Sequence, residues 1–90
     1  MRRISRWFDG MPLVFRERGY RFHFFSNEGN PREPVHVHMT KDDIDAKLWL
    51  YPVVEIAYNH GFDARTQKWI VSVVEARKAE IAEVWHDFFA

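Results

Sequence analysis

His36 and His38 stand two apart in the run Pro34-Val35-His36-Val37-His38, within a stretch that alternates apolar and polar residues. On a strand this spacing places both imidazoles on one face and Val35, Val37 and Met39 on the other. Two same-face histidines can ligate one divalent ion, with zinc or another imidazole-binding metal the natural choice. His23 lies in the preceding alternating run and comes within reach of His36 or His38 when the two strands pair. The candidate metal ligands are therefore His23, His36 and His38, with Asp45 as a fourth or an outer partner. The same face carries Arg21 and Lys47, which would hold an anion while His36 or His38 acts as acid or base. This makes His36 and His38 the candidate catalytic residues. It makes Arg21, His23, His36, His38, Asp45 and Lys47 the candidate ligand-binding set.

A structural explanation competes with each of these. A row of half-polar side chains keeps one face of an antiparallel sheet wet without binding anything. Known two- and three-histidine enzyme patterns also fit poorly. Histidine-triad nucleotide hydrolases need a third histidine where Thr40 stands. Two-histidine phosphoesterases need two copies of a His-x-Thr element, and only His38-Met39-Thr40 is present. Weak nucleic-acid binding is a further alternative, since basic and aromatic side chains on a sheet stack bases. The acidic turn at Asp42 and Asp43 opposes it. His60 reads as a turn residue, and His86 as a favourable charge in the last turn of a helix. Trp69 and Trp85 suit a core or an interface.

The elements that must position the histidines follow from periodicity. Leu13–Arg16 is a short strand candidate, and Glu17-Arg18-Gly19 a tight turn. Tyr20 to Phe25 alternates with strong aromatic content, which predicts a strand. The segment 26–34 contains Asn, Gly and two prolines and reads as a loop. Strands are expected over Val35–Thr40 and Ile44–Leu50, joined by a turn at Lys41-Asp42-Asp43. Val53–Tyr58 is rich in β-branched residues and suits an edge strand. Asn59-His60-Gly61 is a turn, and Asp63 an N-cap. Beyond it Ile70, Val73, Val74, Ile81, Val84, Trp85 and Phe88 form a helical stripe that neither Gly nor Pro interrupts, so one long helix is expected. Matching apolar faces sets the register: Tyr20, Phe22 and Phe24 with Val35, Val37 and Met39, then with Ala46, Leu48 and Leu50. The fold class is α+β, a small antiparallel sheet of three to five strands covered on its aromatic face by one long C-terminal helix.

Composition narrows the function classes. With 90 residues, 47% hydrophobic and 17% aromatic, the chain is one folded domain rather than a disordered segment. Residues 11–90 are expected to form it, with 1–10 as an extension, an amphipathic turn or a frayed end, and Met11 as an alternative start. Thirteen basic residues balance thirteen acidic ones. This removes any overall pull toward nucleic acid or anionic membrane and favours association with itself or a partner. The absence of cysteine excludes disulfides, thiolate metal sites and a cysteine nucleophile. No apolar run reaches the ~20 residues of a membrane span. Asp9 and Gly10 fall where a signal peptide needs apolar residues, so a cytoplasmic location is expected.

Several blocks together carry a resemblance. Met11-Pro12, Gly19-Tyr20-Arg21-Phe22, Phe25-Ser26-Asn27-Glu28, Pro34-Val35-His36-Val37-His38, Ala46-Lys47-Leu48-Trp49-Leu50 and Trp85-His86-Asp87-Phe88-Phe89 are similar to the small bacterial family called domain of unknown function 4160. One departure is Glu33, where that family usually carries a second proline before Pro34. The resemblance implies a short cytoplasmic protein often encoded beside a second small protein, of the type called domain of unknown function 2442, in a two-gene arrangement that looks like a toxin–antitoxin pair. It therefore implies a protein-interaction module with a small protein partner. It implies no catalytic residues, so His36 and His38 rest on geometry alone.

Overall fold

The computed structural model describes residues 7–8, 11–28 and 33–89. Five strands form an antiparallel meander: β2 (Met11–Glu17), β3 (Tyr20–His23), β4 (His36–Lys41), β5 (Ile44–Trp49) and β6 (Glu55–Asn59). A two-residue strand, β1 (Trp7–Phe8), pairs with the free side of β2. Neighbours in the sheet are neighbours in the chain throughout. Two helices follow, α1 (Ala64–Ala76) and α2 (Lys78–Phe89). The extension expected over residues 1–10 lies outside the described residues except at Trp7-Phe8, which form β1. No helix among the described residues is long and apolar enough to cross a membrane.

The register matches the apolar faces. Phe22 lies opposite Met39, Met39 opposite Ala46, and Val37 opposite Leu48. All five are buried in one core that also contains Phe15, Phe24, Leu50, Ile70, Val74, Ile81 and Trp85. The β2–β3 connection has two central residues, Arg18 at φ 52° and Gly19 at φ 81°. Positive φ at both is what a type I′ hairpin turn requires, because its twist suits the flanking strands. Between β4 and β5, Asp42 takes φ 54°, a conformation that short polar side chains tolerate.

Strand ends differ from expectation by a few residues. Beyond His23, Phe24 leaves β3, yet its N–H still donates to the Pro12 carbonyl at 2.9 Å. Val35 precedes β4, and its carbonyl accepts from Leu50 N–H at 3.2 Å. The expected strand over Val53–Tyr58 begins at Glu55 instead. The Tyr51–Pro52 peptide bond before it is cis. Within the expected loop, Ser26–Glu28 forms a 3-10 turn, and residues 29–32 lie outside the described residues.

The single long helix is replaced by two. Arg77 adopts φ −112° and ψ 19°, outside the helical region, and separates α1 from α2. The backbone ladder nearly continues across it: Arg77 N–H donates to Val73 O and Ile81 N–H to Arg77 O, both at 3.0 Å. The break has a tertiary cause. The Arg77 guanidinium donates to both carboxylate oxygens of Glu80, at 2.9 and 3.1 Å, and to Glu17 of β2 at 3.2 Å. The side chain is thereby tied to the sheet at the junction of the two helices. At the start of α1, Asp63 is the N-cap, its carboxylate accepting from Thr66 N–H at 2.8 Å. Hydrogen bonds to Thr66 hold the Asp63 carboxyl below its ordinary range, assisted by the nearby charge of Arg65.

Candidate functional site

The strand pairing gathers the candidate residues on the face opposite the core. His23 lies opposite His38, His38 opposite Lys47, and His36 opposite Trp49. Arg21 and Asp45 each lie opposite Thr40. Period-two alternation on β3, β4 and β5 alone is enough to bring the three histidines together.

Their environment is not the wet face that alternation suggests. His23 is 1% exposed, His36 0% and His38 4%. The physical reason is a shell of aromatic rings. Phe25 stands edge-on to His38 at 4.3 Å and to His23 at 5.3 Å. Trp49 and Trp85 approach His36 at 5.5 and 4.8 Å, and Tyr58 lies 6.3 Å from His38. Trp85 also meets Phe24 edge-on at 5.1 Å. One tryptophan of α2 therefore touches both the core and the histidine row.

Each histidine is hydrogen-bonded, as buried imidazoles must be. His36 Nδ1–H donates to the Pro34 carbonyl at 2.8 Å. His23 Nδ1–H faces the Phe24 carbonyl at 3.4 Å, which leaves Nε2 to accept from the Thr40 hydroxyl at 2.8 Å. The Tyr58 hydroxyl donates to His38 Nδ1 at 3.3 Å. The rings of His23 and His38 stack at 5.7 Å, while those of His36 and His38 meet at right angles at 5.0 Å. Among the described residues no group of three or more His, Asp or Glu side chains is arranged to hold a metal ion.

Two charged members of the candidate set, Asp45 and Lys47, are committed elsewhere. Asp45 accepts from His60 Nδ1–H at 3.1 Å, and His60 stacks on Tyr58 at 4.5 Å. That contact turns Asp45 toward the β6 turn and gives His60 a carboxylate partner. Lys47 donates to Glu33 at 3.0 Å with its ammonium 4.3 Å over the Trp49 ring. Glu33 also stands 4.0 Å from His36 Nδ1. What the arrangement does chemically is pack three imidazoles against aromatic rings and fix β4 to its neighbours. Sequence reasoning missed Tyr58, Thr40 and Glu33 as partners. Tyr58 was discoverable, since a strand from Glu55 to Asn59 places it opposite Lys47. Glu33 carried a signal of its own, standing where a proline was expected.

Comparison with known proteins gives a family and no site. No curated protein and no solved structure matched this chain. A family model, Domain of unknown function (DUF4160), matches residues 19–86. The match takes in β3 to β6, both helices nearly to their end, and all three clustered histidines. It spans well over half of the 90 residues, and the chain belongs to this family.

Proposed function

We infer that this chain is a small interaction module that binds a second small protein along the β6 edge, as one half of a two-gene, toxin–antitoxin-like pair. One observation carries the reading. β6 ends the order of strands, and the segment leading into it exposes Tyr51 at 50% and Val53 at 60%. An edge strand offers unpaired backbone groups to an incoming strand, and flanking apolar side chains anchor it. Glu55 and Ala57 of β6 are exposed as well. The zero net charge raises no general electrostatic barrier to a neutral or weakly charged partner. The buried histidine row supports the same reading indirectly. A phosphate-handling enzyme would need an imidazole open to its substrate, and here aromatic rings enclose all three.

The test is native mass spectrometry of the chain co-expressed with its neighbouring gene product, using the wild type and the Tyr51→Ser, Val53→Asp variant. A stoichiometric heterocomplex that is lost in the variant is expected. A wild-type chain that stays free of that partner overturns the reading, as does a complex the variant leaves intact. A homodimer lost in the variant would assign the edge to a second copy and overturn the two-gene part.

A further inference from the structure

At the end of the sheet away from His36, the β2–β3 turn, the β4–β5 turn and the first turns of α1 enclose a groove of about 460 Å³. Arg18, Tyr20, Lys41, Arg65, Thr66 and Trp69 line it, so it holds three cations and no carboxylate. This is an unusual concentration of charge in a chain whose total is zero. Among the described residues none of the three cations makes a salt bridge, although the Arg65 charge acts on the Asp63 carboxylate, whereas Lys47 and Arg77 are both paired.

Aromatic rings hold two of the three cations, Lys41 and Arg18, in place. Lys41 Nζ lies 4.5 Å over the Tyr20 ring, and the Arg18 guanidinium 5.5 Å over the Trp69 ring. Tyr20 and Trp69 pack on each other at 4.8 Å. The Lys41 ammonium also reaches across the β2–β3 turn, 3.8 Å from where a side chain at Gly19 would begin. Cation–π contacts of this kind fix long side chains before a ligand arrives, which lowers the entropy lost on binding. An adjoining hollow of about 280 Å³ shares Tyr20, Lys41 and Thr66 and adds Asp42 and Asp63. The Asp63 carboxylate already takes the Thr66 N–H and hydroxyl, so the α1 terminus is capped and an anion in the groove would meet the side-chain cations.

We propose that this groove binds a phosphoryl group, with Arg18, Lys41 and Arg65 taking the oxygens of a phosphate mono- or diester. Three cations match the charge and the several acceptor oxygens of phosphate better than a single carboxylate. Arg forks bind phosphate oxygens two at a time. The volume falls in the range of small-ligand sites, enough for a nucleotide-sized group. The groove lies apart from the β6 edge, so its fate and that of the interaction reading are separable.

Calorimetric titration with inorganic phosphate and with AMP, and fluorescence anisotropy with a labelled single-stranded RNA 10-mer, test the site at low ionic strength. Wild type is compared with the Lys41→Gln, Arg65→Gln double variant. Binding of at least one probe is expected, weakened at least tenfold in the double variant. For RNA, the slope of log affinity against log salt should fall by about 1.4 when two phosphate contacts are removed. Binding of AMP as tight as that of RNA would assign a free nucleotide; binding of RNA alone would assign a polymer backbone. Arg65→Gln by itself, at an exposed position, keeps the test available if the double variant misfolds, and a several-fold loss is expected there. No binding by any probe, or equal binding by wild type and variants, overturns the proposal.

Discussion

The guanidinium of Arg77 lies 3.4 Å over the ring of Phe15, and Phe15 in turn stacks on Phe22 at 4.5 Å. The junction of the two helices is thus clamped to β2 by a cation on an aromatic face. Hydrogen bonds to Glu80, and secondarily Glu17, raise the Arg77 pKa further above its ordinary value, so the cation persists at every pH where the fold exists. Arg77→Ala should destabilise the fold by about 1 kcal/mol from lost stacking and part-exposed ion pairs. Arg77→Lys should fall between, because ammonium lacks the planar face. Urea denaturation at low salt and at 1 M salt checks this. A loss that vanishes entirely at high salt would sink the stacking contribution and leave only screened ion pairs.

Asp63 gives a pH-dependent prediction. Its folded-state pKa is lowered from the ordinary 3.8 by hydrogen bonds to Thr66. A depressed carboxylate stabilises the fold above its unfolded value, and that stability is lost as pH falls through the folded value. Asp63→Ala should therefore melt at lower temperature than wild type at pH 7, with the gap narrowing below about pH 4. Asp63→Asn should keep most of the cap, since its side-chain oxygen still accepts. Thermal melts from pH 7 to pH 3 measure both. A gap constant across that range would show that the carboxylate charge contributes nothing.

His36 is a packing residue in this structure, and its removal should be felt as lost stability. His36→Ala empties a fully buried site between Trp49 and Trp85, at a cost of about 3 kcal/mol. His36→Asn retains a donor for the Pro34 carbonyl and should recover part of it. Guanidinium unfolding measures the difference. A variant with wild-type stability and altered metal content would return the histidine row to the metal reading.

Gly61 adopts φ 128°, and a Cβ there would meet Ile44 Cγ2 at 3.3 Å. Gly61→Ala should destabilise by about 1–3 kcal/mol through backbone strain and this close approach. At Gly19 a Cβ meets nothing closer than 3.8 Å, so Gly19→Ala should cost less. Chemical denaturation ranks the two, and the reverse order would refute the steric part of the argument.

The strands were legible because alternation on Tyr20–His23, His36–Lys41 and Ile44–Trp49 is regular, and one shared apolar face admits one register. That register brings His23 within reach of His36 or His38, and the structure pairs it with His38. Burial of the histidines was not legible, because Trp85 and Tyr58 come from other segments than His23, His36 and His38, and their convergence with Phe25 is tertiary. Nor was the break at Arg77, which carries no Gly or Pro and arises from contacts with Phe15 and Glu17, sixty or more residues away. The Arg18, Lys41 and Arg65 groove escaped for a similar reason. Each residue stands alone in its own turn, and no spacing links them.

The meander has a consequence for how the chain assembles. Each strand pairs with the one made just before it, so the hairpins are local and can close early during synthesis. The apolar face bearing Phe22, Val37, Met39 and Leu48 nevertheless shares its core with Ile70, Val74, Ile81 and Trp85, which are made last. A chain arrested after β6 would hold a paired sheet with half of its core missing, the kind of species that aggregates. The C-terminal helices complete the core, so a premature stop should yield an adhesive fragment rather than a smaller folded domain.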